Sequence, residues 1–129
     1  KEKIDSLIAK FELDAVVDIK ASYLSGGQKK KLTVSLALLG NPKVLLLDEP
    51  FAALDVMTIK MLQQIIVNLQ SENNISVILC DHQARDLLTC VDKAIVLSNC
   101  KVVATGTPSE LINNNEAKSA YFGESFKLN

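Results

Sequence analysis

The chain has 129 residues, 48% of them hydrophobic and 22% charged, with a formal net charge of −1. That composition predicts a soluble globular protein of at most one domain, and the charge balance gives no field for binding nucleic acid. No apolar run approaches the roughly 20 residues a membrane helix needs, and no leader of the secretory kind is expected. The chain starts without Met and in helical character, Lys1-Glu2-Lys3-Ile4, which reads as the C-terminal part of something longer.

Ile4, Leu7, Ile8 and Phe11 recur at helical spacing and predict a first amphipathic helix. A short mixed stretch, Ala15–Ala21, leads to the turn Leu24-Ser25-Gly26-Gly27-Gln28. Gln28 to Leu39 reads as a helix, stopped by Gly40-Asn41-Pro42. Lys43–Leu47 is an apolar run too short for a typical helix, so it predicts a strand buried on both faces. Leu62, Ile65, Ile66 and Leu69 mark an amphipathic helix over Val56–Gln70. Ser71–Asn74 reads as a loop, Ile75–Cys80 as a second buried strand and Ala84–Cys90 as a helix. Lys93–Leu97 and Lys101–Ala104 predict a hairpin.

Thr107-Pro108-Ser109-Glu110 carries a helix start: Thr107 caps, Pro108 suits the first helical position and Glu110 completes a capping box. The last segment, Ala117–Asn129, holds Tyr121, Phe122 and Phe126. Strands alternating with helices predict an α/β fold with a mainly parallel sheet flanked by helices. Cys80, Cys90 and Cys100 are odd in number, form no C-x-x-C and sit in or beside apolar segments. They read as buried, reduced thiols of a cytosolic protein.

Three places carry chemistry. Ser25 is a good N-cap, Gly26-Gly27 allows a ligand close to the backbone, and the N–H groups opening the next helix attract an anion. Lys29, Lys30 and Lys31 crowd that first turn, where an exposed cation costs about 0.3–1 kcal/mol and a bound phosphate would offset it. Taken alone, the same residues also read as an ordinary turn with solvated lysines.

The strand Val44–Leu47 runs into Asp48-Glu49-Pro50. In open α/β sheets ligands sit at the carboxyl ends of strands, so Asp48 is a candidate for Mg²⁺, directly or through water. Glu49 is a candidate to orient or deprotonate an attacking water. Asp81-His82 ends the next strand in the same way, and His82, the single histidine, becomes a candidate for contact with a γ-phosphate. Asp55 caps helix Val56–Gln70 and could also serve a subunit interface. The loop G-x-x-x-x-G-K-[ST], which would hold a triphosphate in the same subunit, is absent from these residues.

Together these segments resemble the second half of an ABC-transporter ATPase. Leu24–Gln28 matches the family signature in full, Val44–Glu49 its Walker B strand and catalytic glutamate, Ala52–Asp55 its D-loop and Asp81-His82 its switch histidine. Gly106–Leu111 is similar to a segment common in the transporter branch. Four motifs in family order cover nearly the whole chain. The Walker A loop, the adenine-stacking aromatic and the Q-loop belong to the family's first half and are missing here.

The resemblance implies a partial P-loop NTPase-like core and a head-to-tail homodimer. Ser25, Gly26, Gly27 and Gln28 would close over ATP held by the partner subunit, with Asp55 at the dimer interface. Asp48 with Mg²⁺, and the catalytic Glu49 and His82, would face ATP in their own subunit. Transmembrane permease subunits are the implied partners, at the cytoplasmic face of the inner membrane, and nucleic acid is not.

Within the family, the ending Tyr121–Leu128 looks like the tail of lipopolysaccharide-export ATPases; branched-chain amino-acid importer ATPases carry a similar, shorter tail. An inactive remnant that binds a partner or nothing is a second reading, and a DNA-repair or chromosome-structure ATPase a third, disfavoured by charge. Two departures from the pattern stand out. Cys100 occupies a turn where such proteins often have Gly, at about 1 kcal/mol if left-handed. Lys29–Lys31 stands where the subgroup tends to have arginines, which loses bidentate geometry.

Overall fold

The computed structural model describes residues 1–128. The chain divides into two compact units, Lys1–Asp81 and His82–Asn129.

The first unit opens with α1 (Glu2–Lys10), whose apolar side delivers Phe11 to full burial at its C-terminal end. Two single 3₁₀ turns, Asp14–Val16 and Ala21–Tyr23, connect it to α2 (Gly26–Leu39). α1 packs on α2. α2 ends at Gly40, but the left-handed residue is Asn41 (φ 51°), one position later. Asn tolerates that conformation, so Gly40 is left with an ordinary negative φ.

β1 (Val44–Asp48) then pairs in parallel with β2 (Ser76–Cys80), in register from Val44 with Ser76 to Asp48 with Cys80. Between them runs α3 (Val56–Asn73), which packs on β2. Its buried stripe is Ile59, Leu62, Ile65, Ile66 and Leu69, spaced at three, four and seven. The helix runs through Ser71–Asn73, where the sequence reading expects a loop. Its stop is Asn74, left-handed, whose N–H donates to the Gln70 carbonyl at 3.1 Å while the Ile75 N–H donates to that of Leu69 at 3.0 Å.

The expectation that both strands are buried on both faces is corrected. Leu45 is buried, but Val44, Leu46 and Ile78 are 52%, 71% and 56% exposed. Strand side chains alternate, and parallel partners share a face. Val44, Leu46, Ser76, Ile78 and Cys80 therefore lie on one face, and no described residue buries it. Cys80 is exposed for the same reason, and Cys100 because it sits in a turn; of the three free thiols only Cys90 is half-buried. Burial, and then Asp86, push the Cys90 thiol up to about 11.

The second unit starts with α4 (Ala84–Leu88), shorter than expected by two residues, and continues into an antiparallel hairpin of β3 (Ala94–Ser98) and β4 (Lys101–Gly106). Among the described residues, parallel pairing is thus confined to β1 and β2. The hairpin turn is Asn99-Cys100, both left-handed (φ 50° and 59°), as a two-residue type I′ connection requires. A bulge follows between Val96 and Leu97. Next come α5 (Pro108–Asn113), α6 (Asn115–Ala117) and a π-helical turn, Lys118–Phe122. Leu88, Val96, Ala104, Leu111 and Ala117 form this unit's core, with Phe122 and Phe126 packed against it. No described helix is long and apolar enough to cross a membrane.

Candidate functional site

The glycine turn is built as its residues suggest. Ser25 lies in an extended conformation, its hydroxyl accepts from the Gln28 N–H (3.2 Å), and the Gln28 side chain accepts from the Ser25 N–H (2.9 Å). This closes a capping box over the first turn of α2. Gly26 and Gly27 are the first two helical residues, so their N–H groups lie outside the helix's own ladder. A Cβ on Gly26 would meet open space, and one on Gly27 would meet Leu54 and Thr58 at 3.8 Å, ordinary contact. Neither glycine is therefore demanded by packing within this unit. Of the three lysines, Lys31 has a partner, Glu12, at 3.3 Å. That pair joins the α2 turn to the end of α1 and has no sequence signal, because the residues are far apart along the chain.

Asp48 and Glu49 stand exposed at the carboxyl end of β1. Glu49 is left-handed (φ 46°), a costly conformation for a non-glycine residue that concentrates at functional sites. Its N–H donates to the Cys80 carbonyl at 2.8 Å, which carries the parallel pairing one residue past the strand. Immediately beyond, the N–H of the fully buried Phe51 donates to Asp81 Oδ2 at 3.0 Å. Asp81 thus fastens the carboxylate turn to the end of β2, a structural duty the sequence reading did not separate from that of His82.

Asp55 accepts from the N–H groups of Met57 and Thr58, both at 3.0 Å, and from the Thr58 hydroxyl. The Thr58 bonds, side chain first, hold its carboxyl below the usual range. As expected, it caps α3. Ala53, inside the same loop, is also left-handed (φ 57°).

The first unit therefore brings Asp48, Glu49 and Asp81 to one sheet end, and Gly27 beside Leu54 and Thr58. His82 is exposed and opens the second unit, so its approach to Glu49 stays an expectation of the family resemblance. Among the described residues, no group of three or more His, Cys, Asp or Glu could hold a metal ion. Asp48 remains the candidate for Mg²⁺, an ion that often takes one or two carboxylates and draws its other ligands from water and substrate phosphates.

A family model described as "ABC transporter" matches residues 1–52. The lipopolysaccharide export system ATP-binding protein LptB of Haemophilus influenzae is 37% identical over 128 residues, 99% of this chain and 53% of that protein. The protein of the same name from Escherichia coli K12 is 32% identical over the same shares. The chain spans about half the length of these curated relatives. Among solved structures, a nucleotide-free ATP-binding cassette from an ABC transporter superposes with a TM-score of 0.82 at 25% identity, over 95% of this chain and 50% of that one. A dimeric cassette in a post-hydrolysis state bound to ADP and Pi superposes with a TM-score of 0.74 at 25% identity, over 83% and 46%.

Proposed function

We propose that the chain is part of an ABC transporter ATP-binding domain, the C-terminal half of an ATPase subunit that powers an export transporter. The observation that carries the reading is the carboxylate pair Asp48-Glu49, exposed past β1 with Glu49 held left-handed. Ligands of open α/β sheets sit at such strand ends.

In this reading Glu49 orients the attacking water and accepts its proton, while Asp48 helps to hold Mg²⁺ against the phosphates. Bound Mg²⁺ supplies neutralisation of phosphate charge. His82 contacts the γ-phosphate. Across a homodimer, the N–H groups of Gly26 and Gly27, the hydroxyl of Ser25 and the side chain of Gln28 meet the ATP held by the partner subunit. The positive end of the α2 dipole faces the same phosphates. The open space over Gly26 supports this: a phosphate can approach the backbone there unobstructed. Asp55 and the D-loop lie at the dimer interface.

The transported substrate is lipopolysaccharide, and the partners are membrane permease subunits at the inner membrane. Support comes from relatives named for lipopolysaccharide export, matched over nearly the whole of this chain, tail included.

The test uses the full-length protein with its permease. Glu49→Gln is expected to lower Mg²⁺-dependent ATP turnover by about 10²–10⁴-fold, the range of a general base, with nucleotide binding retained. Undiminished turnover sinks the hydrolytic reading. Lipopolysaccharide release from vesicles driven by ATP tests the substrate. ATP-dependent movement of a branched-chain amino acid instead would redirect it to an importer.

A further inference from the structure

The C-terminal tail reaches back to the residue assigned to the γ-phosphate. The Tyr121 hydroxyl donates to the His82 carbonyl at 2.8 Å across 39 positions of sequence. The same carbonyl accepts the Ala84 N–H at 3.0 Å, in a tight turn just ahead of α4. A carbonyl has two lone pairs, and here one is used by the local turn and the other by the tail.

The tail is shaped for this contact. The π-helical turn Lys118–Phe122 turns Phe122 toward the unit's core and leaves Tyr121 outside it. Gly123 is left-handed (φ 78°) and its N–H closes the turn on the Lys118 carbonyl at 2.8 Å. The chain then folds so that Phe126 stacks on Phe122 with ring centroids 4.7 Å apart. Tyr121 meets Phe122 edge-on at 5.5 Å, and the Arg85 guanidinium of α4 lies 5.5 Å from the Phe126 ring centre. The tail therefore meets α4 at Arg85 and the turn before it at His82, lining a cleft of about 550 Å³.

We infer that Tyr121 is a positioning residue: the C-terminal tail holds the His82 backbone through its hydroxyl and so sets where the imidazole is presented to nucleotide. This rests on the role given to His82 above. Within the second unit, the Tyr121 bond ties the His82 backbone to the tail. The aromatic stack and Arg85 keep Tyr121 in reach.

The experiment compares Tyr121→Phe with wild type in the full-length ATPase, measuring steady-state hydrolysis, thermal unfolding and amide exchange. Removing one hydroxyl leaves the ring packing in place. The expected result is a fall in kcat of about five-fold, the factor one neutral hydrogen bond is worth. KM for ATP should stay within about two-fold by the same argument, since the effect reaches the chemistry through His82 and not through binding. Amide exchange should quicken over residues 82–86, with the melting temperature little changed. Unchanged kcat overturns the inference, as does a loss explained by general destabilisation. His82→Ala separates the two levels. If His82→Ala turns over ATP like the wild type, the role of His82 falls and the clamp with it. If His82→Ala is slow and Tyr121→Phe is normal, only the clamp falls.

Discussion

Asp81 shows how one side chain can shape a candidate site from beside its carboxylate pair. Its carboxylate accepts from the N–H of Phe51, which is fully buried directly after the Asp48-Glu49 turn. Asp81→Ala would leave that N–H without its carboxylate acceptor, a loss of about 1–3 kcal/mol. Denaturant unfolding of the full-length protein should show this loss, and an unchanged midpoint would mean another acceptor takes over. Cys100 is a residue-scale case of the opposite sign. It sits left-handed at φ 59° in the hairpin turn, which costs a side chain about 1–2 kcal/mol that Gly avoids. Against the extra chain entropy of Gly, Cys100→Gly is expected to raise stability by roughly 0.5–1 kcal/mol, read as a higher midpoint. The turn's position was legible from two flanking apolar runs, and the departure from Gly was visible too. The left-handed Glu49 was not, because nothing in the residue type favours that conformation; the pairing of its N–H with Cys80 holds it there.

At the scale of elements, helix starts were the most legible feature. Ser25, Asp55 and Thr107 all cap as read, because capping is local and uses residues within three positions. Two of these caps depend on ionised groups. Thr58 bonds hold the Asp55 carboxyl below its ordinary 3.8, and the Thr107 N–H, then its hydroxyl, hold Glu110 below 4.5. For carboxyls lowered in the folded state, the stabilisation is complete above the ordinary value and disappears as pH falls through the folded one. Acidification below about pH 4 should therefore fray the first turns of α3 and α5 before the core opens. Residue-resolved amide exchange at pH 3 against pH 6, corrected for intrinsic rates, checks it; equal protection at Met57, Thr58 and Thr107 would refute it. Helix ends were less legible than starts. α3 passes through Ser71–Asn73 because a left-handed Asn74, and not composition, supplies its stop.

At the scale of the whole chain, the apolar faces of both sheets matter most. Val44, Leu46 and Ile78 are exposed on the parallel pair, and Ile95, Leu97 and Val102 on the hairpin. A two-stranded sheet with an open apolar face is marginal in water. These 129 residues on their own are expected to associate and to melt without a sharp transition, and to hydrolyse no ATP. A monomeric sample with one cooperative thermal transition would contradict the first expectation. Measurable Mg²⁺-dependent turnover, abolished by Glu49→Gln, would contradict the second. The same faces explain why burial was misjudged from sequence. A short run such as Val44-Leu45-Leu46-Leu47 states that its side chains are apolar on both sides. It does not state whether anything within reach covers both.

Residue type and spacing along the chain determined the motifs, the strand–helix alternation, the capped helix starts and the family resemblance, since each depends on neighbours a few positions apart. Tertiary structure alone decided which strand face is covered, that Asp81 fastens the carboxylate turn, that Lys31 meets Glu12, and that Tyr121 reaches His82. Each of these joins residues distant in sequence, and a chain's local pattern carries no record of which distant partner will close the contact.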